Sequence, residues 1–431
     1  MTQLGDSPAP TGPAPLDDAR LHQSARLIDH LIDHGPSTRT ELATATGLGR
    51  TAVANLSARL AEAGILTEDG AASPGARPAP VALTAARHVL VTVAIDPDEV
   101  VATLAALDGA ERARFAEPHT AADGAAVLLD LLATVLSRAL AAAERADTPV
   151  ADVTVLVDGA VAGTPPVAVE GTRLGSEPID VLAELRARLP RLAEIESPQA
   201  VSVRLLPTAV AAAEAEAGAL AARDLLYLDG DAGVASAVVA DGRPLRGAHG
   251  LAASLAHLPI VPSGIRCDCG QRGCLLTVAG PEHVLDRAGL AEFDRTHGRR
   301  AALAELVARV DDADDRARWS WLDAALWIGR TLQVVVPTVD PAAIVVAGYW
   351  ARLLPDLDTA FRENRPTIAG GAIGSIPPIV AATAGPDAAL AGARRQARDL
   401  LVAEPGRLAR LARLPPAPDA SPRRDVVGSG G

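Results

Sequence analysis

The chain has only three cysteines in 431 residues, and all of them fall in the run Cys267-Asp268-Cys269-Gly270-Gln271-Arg272-Gly273-Cys274, with His257 ten residues ahead of it. Thiols this close, on a segment that Gly270 and Gly273 can turn sharply, converge on one point. Thiolates together with an imidazole suit a tetrahedral zinc ion. Four protein ligands leave no open position for water, so such a centre is structural rather than catalytic. Packing alone is a poor account of three thiols so spaced when every other position avoids cysteine. Clustered thiols with metal-like spacing also fit a reducing cytoplasm better than a disulfide framework.

A chain of this length exceeds one ordinary domain, and two or three are expected. Hydrophobic residues make up 49%, enough for real cores. There is no lysine, and all 40 basic residues are arginine. The formal charge of −13 means that a uniformly spread surface would repel phosphate. Any contact with nucleic acid must therefore be local, and residues 39–59 carry Arg39, Arg50 and Arg59 against Glu41 alone. The start lacks a basic stretch followed by an apolar run, so no signal peptide is expected. No run of about 18 residues is apolar enough to be expected to span a membrane.

Residues 1–18 are rich in proline, glycine and small polar side chains, and a disordered tail is expected there. Over residues 21–34, Leu21, Ala25, Ile28 and Leu31 or Ile32 recur on one helical face, and Gly35-Pro36 ends the helix. Thr38 with Glu41 makes a capping-box pattern that opens a second helix, Arg39 to Thr46. Gly47-Leu48-Gly49 supplies a turn. A third helix runs from about Arg50 to Glu62, with Val53, Leu56 and Leu60 inward. Ile65-Leu66 starts a strand, residues 69–79 form a hairpin wing, and Val81-Ala82-Leu83 is the return strand. Residues 19–84 thus have the pattern of a winged helix-turn-helix, whose third helix enters the major groove of double-stranded DNA. Arg50, Thr51 and Asn55 lie away from the inward face and are the groove-facing candidates. Asparagine pairs bidentately with adenine, and arginine with guanine. Arg39 and Arg77 suit phosphate or minor-groove contacts. A small helical module for protein contact or dimerisation is the alternative.

The rest alternates strands and helices, which implies an α/β fold with mixed sheets. Strands are expected at His88–Ile95, Val100–Leu107, Ala151–Val157, Val201–Leu206, Asp224–Leu228, Ala235–Ala240, Ala343–Ala347 and Ile379–Ala382. Helices are expected over 124–144, 179–195, 208–222, 281–288, 301–309, 315–336 and 387–402. The division is a first lobe over 85–200, a second lobe with the cysteine cluster over 201–402, and a flexible tail over 403–431.

A winged helix-turn-helix followed by such an α/β region and a His…Cys-x-Cys-x4-Cys cluster resembles the ROK family of repressors, open reading frames and kinases. The resemblance covers about residues 20–400. Its most specific piece is Cys267 to Leu275 preceded by His257, and residues 339–348 match the strand that leads to the family's glycine pair. It implies a two-lobed, actin-like (ribonuclease H-like) domain. It also implies a structural zinc on His257, Cys267, Cys269 and Cys274, and a homodimer or homotetramer formed through the large domain.

Against the family's sugar kinases the chain departs in several places. The acidic-glycine-glycine-threonine phosphate loop is replaced by Ala94-Ile95-Asp96-Pro97-Asp98, without the glycines that let backbone N–H groups approach phosphate. The Asn-Asp pair before the alanine-rich helix falls at Leu205-Leu206-Pro207-Thr208, which sets Leu206 where the catalytic base belongs. The second phosphate loop reads Asp229-Gly230-Asp231-Ala232-Gly233-Val234. Ser254 and Leu276 stand for the sugar-binding glutamates. The expectation is a cytoplasmic, DNA-binding regulator, a repressor in type and not an enzyme, controlled by an unknown small-molecule effector. Asp158, Ser254 and Arg266 are the candidate effector contacts. The alternative is a ligand-independent DNA-binding scaffold.

Overall fold

The computed structural model describes residues 18–68, 79–120, 122–169, 173–175, 177–197, 201–363 and 376–412. The chain forms two compact units. One is Met1–His88 together with Arg398–Gly431, and the other is Val89–Ala397.

The first unit opens with three helices, α1 (Asp18–His34), α2 (Arg39–Thr46) and α3 (Arg50–Glu62). Thr38 and Glu41 form the expected capping box on α2, each satisfying a backbone N–H of the other's turn. Gly47 closes α2 in the left-handed conformation at φ 66°, which glycine adopts without steric cost. Two strands follow, β1 (Leu66–Glu68) and β2 (Val81–Leu83), antiparallel with Leu66 opposite Leu83. Ser37 bridges Val81, so the loop before α2 joins the same small sheet. Leu27, Ile28, Leu31, Leu42, Val53, Leu56, Leu60 and Ile65 are all buried and make the core. The wing expected over 69–79, with Arg77, lies outside the described residues apart from its last position.

The second unit is built on two five-stranded sheets with one plan. In the first, β3 (Val89–Ile95), β4 (Glu99–Ala106) and β5 (Glu111–Pro118) form an antiparallel meander. Helix α4 (Ala125–Arg145) crosses to β6 (Val150–Val157), parallel to β3. The small pair β7 (Ala160–Ala162) and β8 (Val167–Val169), then α5 (Val181–Arg188) and α6 (Pro190–Ile195), lead to β9 (Ser202–Pro207), parallel to β6. The order is β5-β4-β3-β6-β9. After α7 (Thr208–Ala219), β10 (Leu225–Asp229), β11 (Ala235–Ala240) and β12 (Arg243–Pro244) form the second meander.

A helical stretch follows: α8 (Leu276–Ala279), α9 (Pro281–Arg287), α10 (Ala291–His297), α11 (Arg299–Asp311) and α12 (Asp315–Val339). Strand β13 (Ala343–Ala347) lies parallel to β10. Then come α13 (Tyr349–Arg352), α14 (Leu354–Glu363) and β14 (Ile379–Ala381), giving the order β12-β11-β10-β13-β14. The described residues end in α15 (Ala388–Ala403) and α16 (Pro405–Leu411). Two mixed sheets repeating one order make this a two-lobed, actin-like (ribonuclease H-like) α/β core that follows an N-terminal helical region in the sequence.

Several expectations need correction. Strand β9 was assigned to the second lobe, but Val203–Pro207 pair with Val153–Val157, so it completes the first sheet. The stretch 179–195 is two helices, because Pro190 cannot continue a helix that its predecessor Leu189 leaves at ψ 81°. Strand β5 alternates exposed and half-buried residues, too polar to stand out as a strand. The expected tail from 403 begins with α16, whose Leu408 and Leu411 are buried. Helix α4 is long and apolar enough to cross a membrane by length and composition. Its Leu128, Leu132, Val135, Leu136 and Ala139 are buried in the core with β3, β4 and β6, so it is a core helix of this sheet.

The end of the chain is fastened to α1 by one side chain. Arg398 donates to Asp29 at 2.9 Å and to Asp33 at 3.0 Å. Those hydrogen bonds hold the Asp33 carboxyl below its ordinary range. A carboxylate held low stabilises the fold above its unfolded pKa and loses that contribution as pH falls through the folded one. Arg398→Ala is expected to cost about 1 kcal/mol at pH 7, since the aspartates are more than a third exposed. Urea melts at pH 7 and at about pH 3 check this: the gap between the two proteins closes in acid.

Candidate functional site

The cysteine loop is an excursion between the short 3-10 helix Leu255–His257 and α8. Pro259 bridges Cys274, and Arg266 bridges Arg272, so the segment folds back as a narrow ladder. Within it the Gln271 carbonyl accepts from the Cys267 amide at 2.8 Å, and the Cys267 carbonyl accepts from Gly270 at 2.9 Å. Gly273 sits at φ 74°, and a Cβ there would drive into the Val261 carbonyl oxygen. The folded loop brings His257, Cys267, Cys269 and Cys274 together, with every ligand atom within 4.8 Å of the others. Cys269 Sγ and Cys274 Sγ are 3.6 Å apart, as are Cys267 Sγ and His257 Nδ1. Ligands at zinc-like bond lengths on a tetrahedron stand about 3.6–3.8 Å apart. The cluster therefore has the size and donor set to hold a metal ion. Burial, then the neighbouring thiols, push the Cys274 thiol above its ordinary range. Crowded thiols of this kind ionise when a cation compensates the charge.

A second group gathers at the carboxyl ends of the strands. Asp96 follows β3, Asp158 follows β6, Asp229 ends β10, and Asp231 lies in the turn to β11. Asp158 pairs with Arg173 at 3.2 Å, and Arg173 also donates to the backbone carbonyls of Asp96 and Pro97. Asp229 accepts the Asp231 amide at 2.8 Å, and Asp231 accepts the Tyr349 amide at 2.7 Å, just past β13. Burial pushes the Asp96 carboxyl up to about 6, with Arg300 opposing. Asp158 is raised by burial against the pull of Arg173. Burial, then the Asp231 charge, raise Asp229. In open α/β sheets ligands bind at this strand edge. Sequence reasoning saw these aspartates singly and missed Arg173; their recurrence just after strands was the available signal. Of the other effector candidates, Ser254 precedes the short 3-10 helix, and Arg266 is exposed in the cysteine ladder.

In the N-terminal unit Arg50, Thr51 and Asn55 are exposed on α3, opposite the buried Val53, Leu56 and Leu60. Arg39 is half-buried at the start of α2. An open depression of about 470 Å³ runs between α1 and α3, lined by Gln23, Ala52, Asn55, Leu56, Ala58 and Arg59. Gln23 and Arg59 were not among the sequence candidates. They share that depression with Asn55 only through the fold, which brings Gln23 of α1 to the rim beside α3.

Residues 92–399 match the profile of the ROK family. The chain belongs to the ROK family. Among curated sequences it is 27% identical to an Escherichia coli (strain SE11) N-acetylmannosamine kinase, over 60% of this chain and 83% of that one. It is 30% identical to a Halalkalibacterium halodurans glucokinase, over 30% of this chain and 42% of that one, so it spans less than half of that relative. Among solved structures, a ROK family transcriptional regulator homologous to the E. coli MLC protein superposes with a TM-score of 0.67. That likeness covers 92% of this chain and 99% of the other at 19% identity, and it speaks for the fold.

The sugar-kinase relatives overturn the expectation of a chain without catalytic activity, because one aligns over most of its own length. The structure also corrects the register of the kinase comparison. Leu206 is buried in β9 against Leu156 and Ala211, not at the crevice. The turn from strand to alanine-rich helix is Pro207-Thr208, and Thr208 is the first residue of α7.

Two outcomes follow. Cys274→Ser should take bound metal from about one equivalent to near none and lower the melting temperature by roughly 5 °C. Elemental analysis with calorimetry reads both, and chelating the unaltered protein should reproduce the shift. For Asp96, a carboxyl raised in the fold stabilises it at pH values below its unfolded pKa and loses that contribution as pH rises through about 6. Asp96→Asn should therefore gain about 3 kcal/mol over the unaltered protein at pH 8 and little at about pH 4, read by urea titration.

Proposed function

We propose that this ROK protein is a sequence-specific, DNA-binding transcriptional regulator, a repressor in type, working in the cytoplasm as a homo-oligomer. The observation that carries the reading is the N-terminal unit. A capped α2, a left-handed glycine turn and an α3 with three exposed polar residues are followed by a strand pair, the order of a winged helix-turn-helix. In this reading α3 enters the major groove. Arg50 and Asn55 read base edges with Thr51 beside them, and Arg39 and Arg77 hold phosphate or the minor groove. The metal is zinc, since three thiolates and an imidazole with no open position make a closed structural site. A small-molecule effector enters the crevice at the strand ends, with Asp158, Ser254 and Arg266 as its candidate contacts. The kinase motifs are read as degenerate at the two phosphate loops, where Pro97, Asp98 and Asp231 replace small residues.

Sugar phosphorylation is the second reading, favoured by the alignment with the N-acetylmannosamine kinase and by the raised carboxyl of Asp158 at the strand edge. A coupled assay with ATP across hexoses and N-acetylhexosamines tests it directly, and turnover there establishes it.

For the regulator, genome-wide mapping of bound DNA supplies the operator. On that operator Asn55→Ala and Arg50→Ala should each weaken binding by roughly tenfold to a hundredfold, the worth of a bidentate base contact. Affinity for random DNA should stay near that of the unaltered protein. Equal loss on both DNAs would take base reading away from these residues.

A further inference from the structure

Three hydrogen-bonding side chains of the N-terminal unit, Gln23 of α1 and Asn55 and Arg59 of α3, open into one depression of about 470 Å³. Among the described residues the Gln23 and Asn55 amides and the Arg59 guanidinium have no hydrogen-bond or ion-pair partner. Arg398 of the same unit, by contrast, is engaged by Asp29 and Asp33. No carboxylate lines the depression, and its remaining wall is Ala52, Leu56 and Ala58. Arg59 is half-buried, as an arginine is when its stem lies on apolar surface and its head meets water. Donors without acids, set over an apolar floor, match a sugar–phosphate unit. Phosphate oxygens take the N–H groups, and deoxyribose carbons rest on the methyl groups.

The placement on α3 agrees. Ala52, Asn55, Leu56 and Arg59 follow the three- and four-residue steps of one helical face, and Arg59 lies one turn, about 6 Å, beyond Asn55. A helix with its side chains is about 10–12 Å across, and the major groove is about 12 Å wide. Such a helix fills the groove. A flank that turns toward another helix of the protein therefore meets the groove's wall of phosphates rather than its floor of bases. We propose that this depression seats one backbone phosphate of DNA with its sugar, and that Arg59 and Gln23 donate to that phosphate beside the base that Asn55 reads. The assignment rests on the reading of α3 as the groove helix. It adds a contact that fixes register and carries no sequence information, made by two residues outside the base-reading set. Arg59 supplies a charge and Gln23 only a neutral amide, so the two differ in salt dependence.

Fluorescence anisotropy of the full chain on its mapped operator and on a random duplex, across about 50–300 mM salt, tests the assignment. Arg59→Gln should weaken binding to both duplexes by the same factor, roughly fivefold to tenfold at about 0.1 M salt, and lower the salt slope by about one. Gln23→Ala should weaken both alike and leave the slope unchanged. Arg59→Lys should keep the slope of the unaltered protein, because it keeps the charge. Neutral methylphosphonate linkages, scanned singly through the operator, should locate one position at which Arg59→Gln brings no further loss. Melting temperatures near the unaltered value show that each variant is folded. The assignment is overturned by an Arg59→Gln variant that binds as the unaltered chain does, that loses affinity on the operator alone, or that keeps the salt slope. A linkage scan in which no position absorbs the loss overturns it as well. A chain that binds neither duplex brings down the groove-helix reading and the phosphate seat together, whereas firm binding with an indifferent Arg59→Gln brings down the seat alone.

Discussion

The two sheets of the large unit share one helix, and its narrowness sets everything around it. Ala209, Ala212 and Ala213 of α7 pack with Leu225, Tyr227 and Val345 of the second sheet. Ala211 packs with Ala94, Val101, Leu156 and Leu206 of the first, and with Leu390 and Ala393 of α15. Only a helix of methyl-sized side chains fits between so many neighbours, because each added methylene in a close-packed interior forces a shift. Gly392 of α15 sits so close that a Cβ would run into the Ala211 carbonyl oxygen. One carboxylate locks the arrangement: buried Glu216 accepts from the Thr383 and Ala384 amides at 2.9 and 2.8 Å and from the Thr383 hydroxyl at 3.1 Å. A buried charge is tolerated when donors surround it this way, and removing them would leave it uncompensated. The helix starts directly from β9, so its placement also fixes the strand edge where Asp158 and Asp229 lie.

The cysteine loop solves a different problem. Its residues from Ile260 to Gly273 hold few large apolar side chains, and Ile265 is 60% exposed. A segment so poor in buried hydrocarbon cannot offset its ordering entropy by packing. A bound cation would supply the missing cohesion, and the four donor atoms already lie within 4.8 Å of one another. The buried Cys274 and Leu275 pass that order on to α8 and the core of the second sheet.

Much of this was legible in the sequence because it depends on local rules. The capping box at Thr38, the glycine turn at Gly47 and the strand Ala343–Ala347 each follow from a few adjacent residues. The metal cluster was legible for the same reason, since its spacing is short. What escaped depends on partners far away in the chain. Strand β5 turns only Ala113 and Phe115 toward the core between charged residues, and it pairs where β4 offers it a ladder. Helix α16 carries too few apolar residues to announce itself and forms where Leu408 and Leu411 find a core. The assignment of β9 to its sheet was a matter of pairing with Val153–Val157, which no local pattern encodes. Misplacing Leu206 had the same origin: it was counted by motif position, while its side chain belongs to the sheet interior. Arg173 was missed because its partners, Asp158 and the carbonyls of Asp96 and Pro97, come together only through the fold.

Charge ties the end of the chain to its beginning. With a net charge of −13, free carboxylates in the N-terminal unit would oppose approach to a polyanion. Asp29 and Asp33 lie one turn apart on α1, where their charges would add. Arg398 spans both, with one guanidinium meeting two carboxylates at 2.9 and 3.0 Å. The pairing lowers the charge of the group from −2 to −1, and salt screens what remains within about 10 Å. The positive stretch of Arg39, Arg50 and Arg59 is then opposed nearby mainly by Glu41, which the capping box already engages. Helices α15 and α16 thus contribute to the N-terminal unit in two ways, by burying Leu408 and Leu411 and by offsetting part of the negative charge on α1.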